Sequence, residues 1–218
     1  EMNILTTDEL KKYARDVAEA CILELRRWCS MGMFSRVSRR SATNLVDSRW
    51  VLKWKRIGGV RKIKARLTVR GFKDRQAYSL TTFAGTATRW GQRAVCSMAA
   101  LYGWKLWSTD ISMAFLRGKT FKQIASETGT KLRSIQCDLP AGANVLLRQI
   151  EGYHDFSEIL EVLDMNKPGF GTKDAPWSWS MALTETMIEA QWAPSRADNK
   201  LYVKHRQATD QDGCCPIT

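Results

Sequence analysis

From Lys62 to Arg70 the chain alternates without a break: Lys62, Lys64, Arg66, Thr68 and Arg70 take every second position, and Ile63, Ala65, Leu67 and Val69 fill the gaps. In a β-strand successive side chains point to opposite faces, so this pattern sorts five polar residues to one side and four apolar ones to the other. A helix would scatter the same residues around its circumference. A second β-rich run, SRWVLKWKRI at 48–57, precedes it, and Gly58-Gly59 stands between them. Two such runs joined by two glycines predict a β-hairpin. Any fold of this chain must therefore accommodate a ribbon that is basic on one face and apolar on the other.

The charge follows the ribbon. The 218 residues carry 34 Lys and Arg against 22 Asp and Glu, a net charge of +12. Between Arg49 and Arg75 there are eleven basic residues and one acidic residue, Asp74. Concentrated cations favour a polyanionic partner, because each phosphate they neutralise releases condensed counterions. The length suffices for one or two compact domains. No apolar run reaches the length of a bilayer span, and the start, EMNILTTDELKKYARD, is polar and mixed in charge. These features predict a soluble, intracellular chain, cytoplasmic or nuclear, that is not secreted and has no membrane partner. The cysteines at 21, 29, 96, 137, 214 and 215 include no CxxC pair, and His154 and His205 are far apart. That spacing fits neither a zinc site nor a disulfide framework, and it predicts idle thiols.

Elsewhere the pattern is coarser. Thr6 and Glu9 form a capping-box signature, and Leu10, Ala14, Val17, Cys21, Leu25 and Trp28 recur at helical spacing up to Gly32. This predicts one long helix with a packing face. A helix is expected from Thr88 to Tyr102, closed by Gly103, followed by WKLWSTDI as a short strand ending in Asp110. Residues 119–136 read as helical or mixed, 137–174 as irregular, 175–191 as an amphipathic helix, and KLYVKH at 200–205 as a strand. The tail QATDQDGCCPIT has no pattern and is expected to be disordered.

A carboxylate at the end of an apolar strand can hold a metal or merely cap the next helix. The order of parts favours chemistry at Asp110: a basic hairpin, a helix, a strand-end Asp with an aromatic five residues on, then a Gly-rich turn into a helix. In that order the motifs resemble copia-type retrotransposon reverse transcriptases. KARLTVRGF at 64–72 is similar to KARLVAKGF, and SRWVLKWK at 48–55 to SKWVFKVK. LTTFAGTATRWGQR at 80–93 resembles TFAPVARLTTIR, and GWKLWSTDISMAFLRG at 103–118 resembles GWELHQMDVKTAFLNG. KPGFGTKDAPWSW at 167–179 looks like KALYGLKQAPRAW, and ADNKLYVK at 197–204 like SDPCLYVK. The likeness covers about 45–205.

The resemblance implies an α+β fold: a partial right-hand polymerase, with a fingers hairpin and a palm sheet with packed helices, incomplete at its C-terminus. Its expected segments are a helical lead-in at 1–44, the fingers-like hairpin at 45–87, a palm-like region at 88–205 and the tail at 206–218. Asp110 matches the first catalytic aspartate of the palm, which binds Mg²⁺ together with the carbonyl of Ile111. Phe115 matches the aromatic steric gate. Lys64, Arg66 and Arg70 fall in the fingers motif that contacts nucleotide and template, and Gly171 and Lys173 in the turn that supports them. The implied partners are an RNA or DNA primer–template, a deoxynucleoside triphosphate and the remainder of a Gag-Pol polyprotein.

The sequence also departs from the pattern. Asp174 replaces a Gln, which puts negative charge near phosphates, Trp177 replaces an Arg, and Gly85-Thr86 replaces Pro-Val. Members carry an Asp-Asp pair after the LYVK strand, whereas here Asp210 and Asp212 lack apolar strand flanks. Two-metal transfer needs several carboxylates. The chain is accordingly expected to be a fragment or decayed copy that binds nucleic acid without polymerising alone. Two other readings stand beside it. TFKQIASETGTKLRSIQ at 120–136 has the look of a DNA-binding helix-turn-helix with Lys131 and Arg133 in its second helix. The other reading is a basic scaffold with no activity.

Overall fold

The computed structural model describes residues 3–204, so Asp210, Asp212, His205, Cys214, Cys215 and the expected disordered tail lie outside the described residues. The Thr6/Glu9 capping box forms: the Glu9 amide donates to Thr6 Oγ1 at 3.3 Å, and the Thr6 amide donates to Glu9 Oε2 at 2.9 Å. The expected single helix is two, α1 (Thr7–Lys12) and α2 (Ala14–Ser30), broken at Tyr13 with φ −110° and ψ 32°. The break coincides with a tertiary contact: the Tyr13 ring meets Trp54 edge-on, 5.1 Å between centroids. Leu25 and Trp28 of α2 are fully buried.

Five strands form one mixed sheet: β1 (Phe34–Ser38), β2 (Leu45–Ile57), β3 (Val60–Val69), β4 (Gln136–Asp138) and β5 (Glu161–Met165), in the order β1-β5-β4-β2-β3. Only the β2–β4 pairing is parallel. The segment 1–44 is therefore more than a helical lead-in, since it supplies the edge strand β1. The hairpin β2–β3 closes through Gly58 (φ 58°) and Gly59 (φ 80°), and positive φ at both central residues is the twist-matched two-residue turn. Leu67 and Val69 on its apolar face enter a single core with Trp28, Val46, Leu116, Ile135 and Leu163. Residues from all three expected segments thus share one apolar interior.

The remaining helices are α3 (Arg89–Tyr102), α4 (Phe121–Thr128), α5 (Ala143–Leu147) and α6 (Ala175–Glu189); β6 (Ala193–Pro194) and β7 (Tyr202–Val203) pair as a small ribbon. The helix expected from Thr88 is present with Thr88 as its cap and Gly103 at its end. The stretch expected to be irregular, 137–174, contains the end of β4, α5 and β5. Its strands are three and five residues long, too short for an alternation to be read. Of the strand expected at 200–205, Tyr202–Val203 is strand among the described residues, and no helix among them is long and apolar enough to cross a bilayer.

Two expectations fail outright. WKLWSTDI forms no strand: residues 104–111 are irregular and exposed, and Asp110 sits in no sheet. A strand needs a ladder partner, and none runs beside this segment among the described residues. The helix-turn-helix fails because only α4 forms. After Gly129 residues 130–135 have no regular secondary structure and lead into β4, so no recognition helix follows α4. Arg133 instead lies inside the protein, paired with Asp74 and Asp174.

Of the cysteines, burial pushes the thiols of Cys21 and Cys137 up to about 12 and that of Cys29 to about 11, while Cys96 is exposed on α3. All four are free. The start of α3 is tied to the turn before β7. Asp198 Oδ2 accepts from the Thr88 amide (2.7 Å) and hydroxyl (2.9 Å), and Oδ1 accepts from the Lys200 amide (3.0 Å). The Lys200 and Thr88 amides together hold this carboxyl below the ordinary Asp value. Its stabilising contribution is therefore complete above about pH 4, the unfolded value, and lost as pH falls through the lower folded one. The protection factors of the Thr88 and Lys200 amides, taken relative to the unfolded chain at each pH, should fall as the solution is acidified through the lowered value of this carboxyl. Protection that is unchanged in acid would show that the carboxylate does not hold this turn.

Candidate nucleotide and nucleic-acid interface

The register of the hairpin sets its electrostatics. Lys53 stands opposite Lys64, and Lys55 opposite Lys62. Directly opposed residues share a face, so four ammonium groups cluster on one side of the ribbon. Near the tip Arg56 opposes Arg61 on the other face, where Arg61 lies 4.3 Å over the Trp54 ring. Like charges directly opposed destabilise a sheet. An anion lying along the ribbon would relieve that repulsion.

At the base of the ribbon a cleft of about 380 Å³ is lined by Arg27, Lys64, Arg66, Phe170 and residues Asp110 to Phe115. Four segments meet there: α2, β3, the turn after α3, and the turn before α6. Strand alternation aims Lys64 and Arg66 the same way. Met113 takes a left-handed conformation (φ 56°), uncommon for a side chain of its size, and reverses the chain so that Asp110 and Phe115 face one space. Leu116, fully buried, anchors this reversal. The Phe115 and Phe170 rings lie 5.5 Å apart, and the Arg66 guanidinium sits 5.2 Å over Phe170. Burial first, then the neighbouring Lys55 and Arg66, hold the Lys64 ammonium below its ordinary value.

The expected site residues divide into two groups. Lys64, Arg66, Asp110, Ile111 and Phe115 come together in the cleft. Arg70 does not: its guanidinium pairs with Asp47 at 3.1 Å, and Lys73 reaches the same carboxylate at 3.0 Å. Gly171 lies against the edge of β3, and the Lys173 ammonium sits 5.8 Å from the Tyr78 ring. From that turn it is Phe170 that enters the cleft. Asp174, expected to put negative charge near phosphates, is buried and paired with Arg133. Arg27 and Phe170 were not legible as site residues, because nothing in an amphipathic helix or a Gly-rich turn marks which side chain a distant strand will meet.

The cleft offers three cations, an aromatic pair and a single carboxylate. Among the described residues no group of three or more His, Cys, Asp or Glu could hold a metal ion. Asp110 with three cations around it does not fit a pair of Mg²⁺ ions, whose charges demand several carboxylates.

Comparison with known proteins places this geometry in context. Over 169 residues, 76% of this chain, it is 24% identical to the Retrovirus-related Pol polyprotein from transposon RE1 of Arabidopsis thaliana, covering 10% of that protein. Against the Retrovirus-related Pol polyprotein from transposon TNT 1-94 of Nicotiana tabacum the identity is 24% over 176 residues, 79% of this chain and 12% of the relative. The corresponding polyprotein from transposon RE2 of Arabidopsis thaliana is 23% identical over 168 residues, 76% of this chain and 10% of its own length. No family model matches the chain, and no solved structure does. The similarity supports an origin in a retrotransposon Pol polyprotein, of which the chain spans about a tenth of the relatives' length.

Proposed function

We propose that this chain is a nucleic-acid- and nucleotide-binding portion of a copia-type reverse transcriptase. The basic face of the hairpin engages the phosphate backbone of a primer–template, and the cleft at its base receives the phosphates of a nucleotide. The observation that carries this reading is the convergence of Lys64 and Arg66 with Asp110 and Phe115, residues more than 40 positions apart, in one cleft. Those four lie within the two segments most similar to the family's motifs, KARLTVRGF and GWKLWSTDISMAFLRG. Chemically, the cations neutralise phosphate, and the Phe115–Phe170 pair offers an apolar surface to a sugar or base. No metal-dependent step is assigned to the described residues.

Phosphate contacts position a protein on nucleic acid without reading bases, so binding should be weakly sequence-selective and steeply salt-dependent. The test is a fluorescence-anisotropy titration of a labelled primer–template duplex at several salt concentrations. Lys53→Ala, Lys55→Ala and Lys62→Ala together should lower affinity roughly tenfold at ~0.15 M salt and flatten the log–log salt slope by about 2–3 units. A triple variant with the parent's affinity and slope would leave the hairpin as a solubilising surface, the basic-scaffold reading.

A further inference from the structure

We infer that Arg27 is the third cation of a polyphosphate subsite in this cleft and sets its preference for a chain of phosphates over a single one. The inference rests on reading the cleft as a nucleotide site, and adds a residue from outside the hairpin and outside the family-like motifs. Arg27 lines the cleft together with Lys64 and Arg66. It sits one residue before the fully buried Trp28, whose ring stacks on Phe34 at 5.3 Å, so its backbone is anchored in the core.

Its guanidinium makes no side-chain hydrogen bond among the described residues. Among the described residues its one ion-pair partner is Glu24 at 3.7 Å, beyond hydrogen-bonding distance. Glu24 is itself buried, and it accepts from Trp28 Nε1 at 3.2 Å. Other arginines around the core are used differently. Arg36 pairs with Asp155 and Glu161, Arg39 with Asp138, Arg133 with Asp74 and Asp174, and Arg148 with Glu158. Those arginines are closed into short ion pairs, whereas Arg27, Lys64 and Arg66 line a shared space with Asp110 across it and the buried Glu24 beside Arg27 and Lys64. A guanidinium grips phosphate through two parallel N–H donors, which an ammonium cannot do. One phosphate can be satisfied by Lys64 and Arg66 on adjacent same-face positions. A longer, more highly charged chain of phosphates also reaches the third wall, where Arg27 stands.

The experiment is calorimetric titration of the full chain with inorganic tripolyphosphate and, separately, orthophosphate. Arg27→Ala should weaken tripolyphosphate binding roughly tenfold, the worth of one charge-assisted contact, and change orthophosphate binding less than about twofold. Arg27→Lys should recover part of the loss and melt with the parent, because it keeps a cation beside the buried Glu24. If the parent binds tripolyphosphate and Arg27→Ala binds it equally well, the inference falls and the nucleotide reading stands. Equal losses for both anions would make Arg27 a general phosphate contact and overturn the preference. If the parent binds no tripolyphosphate, the nucleotide reading of the cleft falls with it, whereas the hairpin's nucleic-acid binding is decided by its own titration.

Discussion

Arg133→Met should lower the unfolding free energy by about 3–5 kcal/mol, the largest effect expected of any single substitution outside the apolar core. The Arg133 side chain is 7% exposed and bridges Asp74 and Asp174, themselves 1% and 4% exposed. Asp74 is held further by the Asn44 side-chain amide at 2.8 Å and the Gln76 backbone amide at 2.9 Å. Removing the cation leaves two carboxylates desolvated and facing each other. Removing the charge of all three, as Arg133→Met with Asp74→Asn and Asp174→Asn, should restore much of the loss, because a neutral cluster of similar volume carries no uncompensated charge. Urea denaturation of the parent, single and triple variants measures this. A single variant within about 1 kcal/mol of the parent would mean that the cluster is not closed in solution. Lys131→Ala, on an exposed neighbour, should be neutral for stability.

Gly171→Ala should destabilise the chain and, unlike Arg133→Met, should also disturb the cleft directly. Gly171 has φ +96°, and an added Cβ would overlap the Val69 carbonyl oxygen and come within 2.8 Å of Thr68 Cγ2. The turn lies against the edge of β3, where the Val69 amide donates to the Phe170 carbonyl at 2.8 Å. A side chain here adds about 1–3 kcal/mol of backbone strain, and the steric overlap forces the turn outward. Phe170 would move with it, taking away the ring under Arg66 and beside Phe115. The expected outcome is a melting temperature lower by roughly 3–10 °C, with tripolyphosphate affinity reduced beyond the loss from unfolding. A variant that melts with the parent would show that the turn has room to relax and that glycine is not required there.

The hairpin was legible because its determinants are local. Alternation, two glycines and the clustering of charge lie within 28 consecutive positions (48–75), and β2 and β3 form as they predict. The capping box at Thr6, the helix from Thr88 to Gly103 and the helix beginning near Ala175 were legible for the same reason. Where local propensity and tertiary context disagreed, context won. WKLWSTDI has a strand's composition but no ladder partner among the described residues, so it stays irregular. The polar triplet Gln136–Asp138 has no such composition, yet becomes a central strand because β2 and β5 flank it.

The site divides in the same way. Its chemistry, cations on one strand face and a carboxylate followed by an aromatic, was written into short motifs, and the sequence by itself determined that these residue types would occur in this order. Which of them meet was decided by packing. Arg70, in the same motif and on the same face as Lys64, is captured by Asp47 of the neighbouring strand. Asp174, which looked hostile to phosphate, is neutralised by an arginine 41 positions away. Arg27, on a helix with no marked chemistry, faces the cleft because Trp28 beside it is the residue the core buries. Periodicity assigns a side chain to a face of its own element. Only the sheet order and the packing of α2 on β3 decide what stands opposite that face, because burial and ion pairing act between segments whose separation along the chain carries no record of their contact.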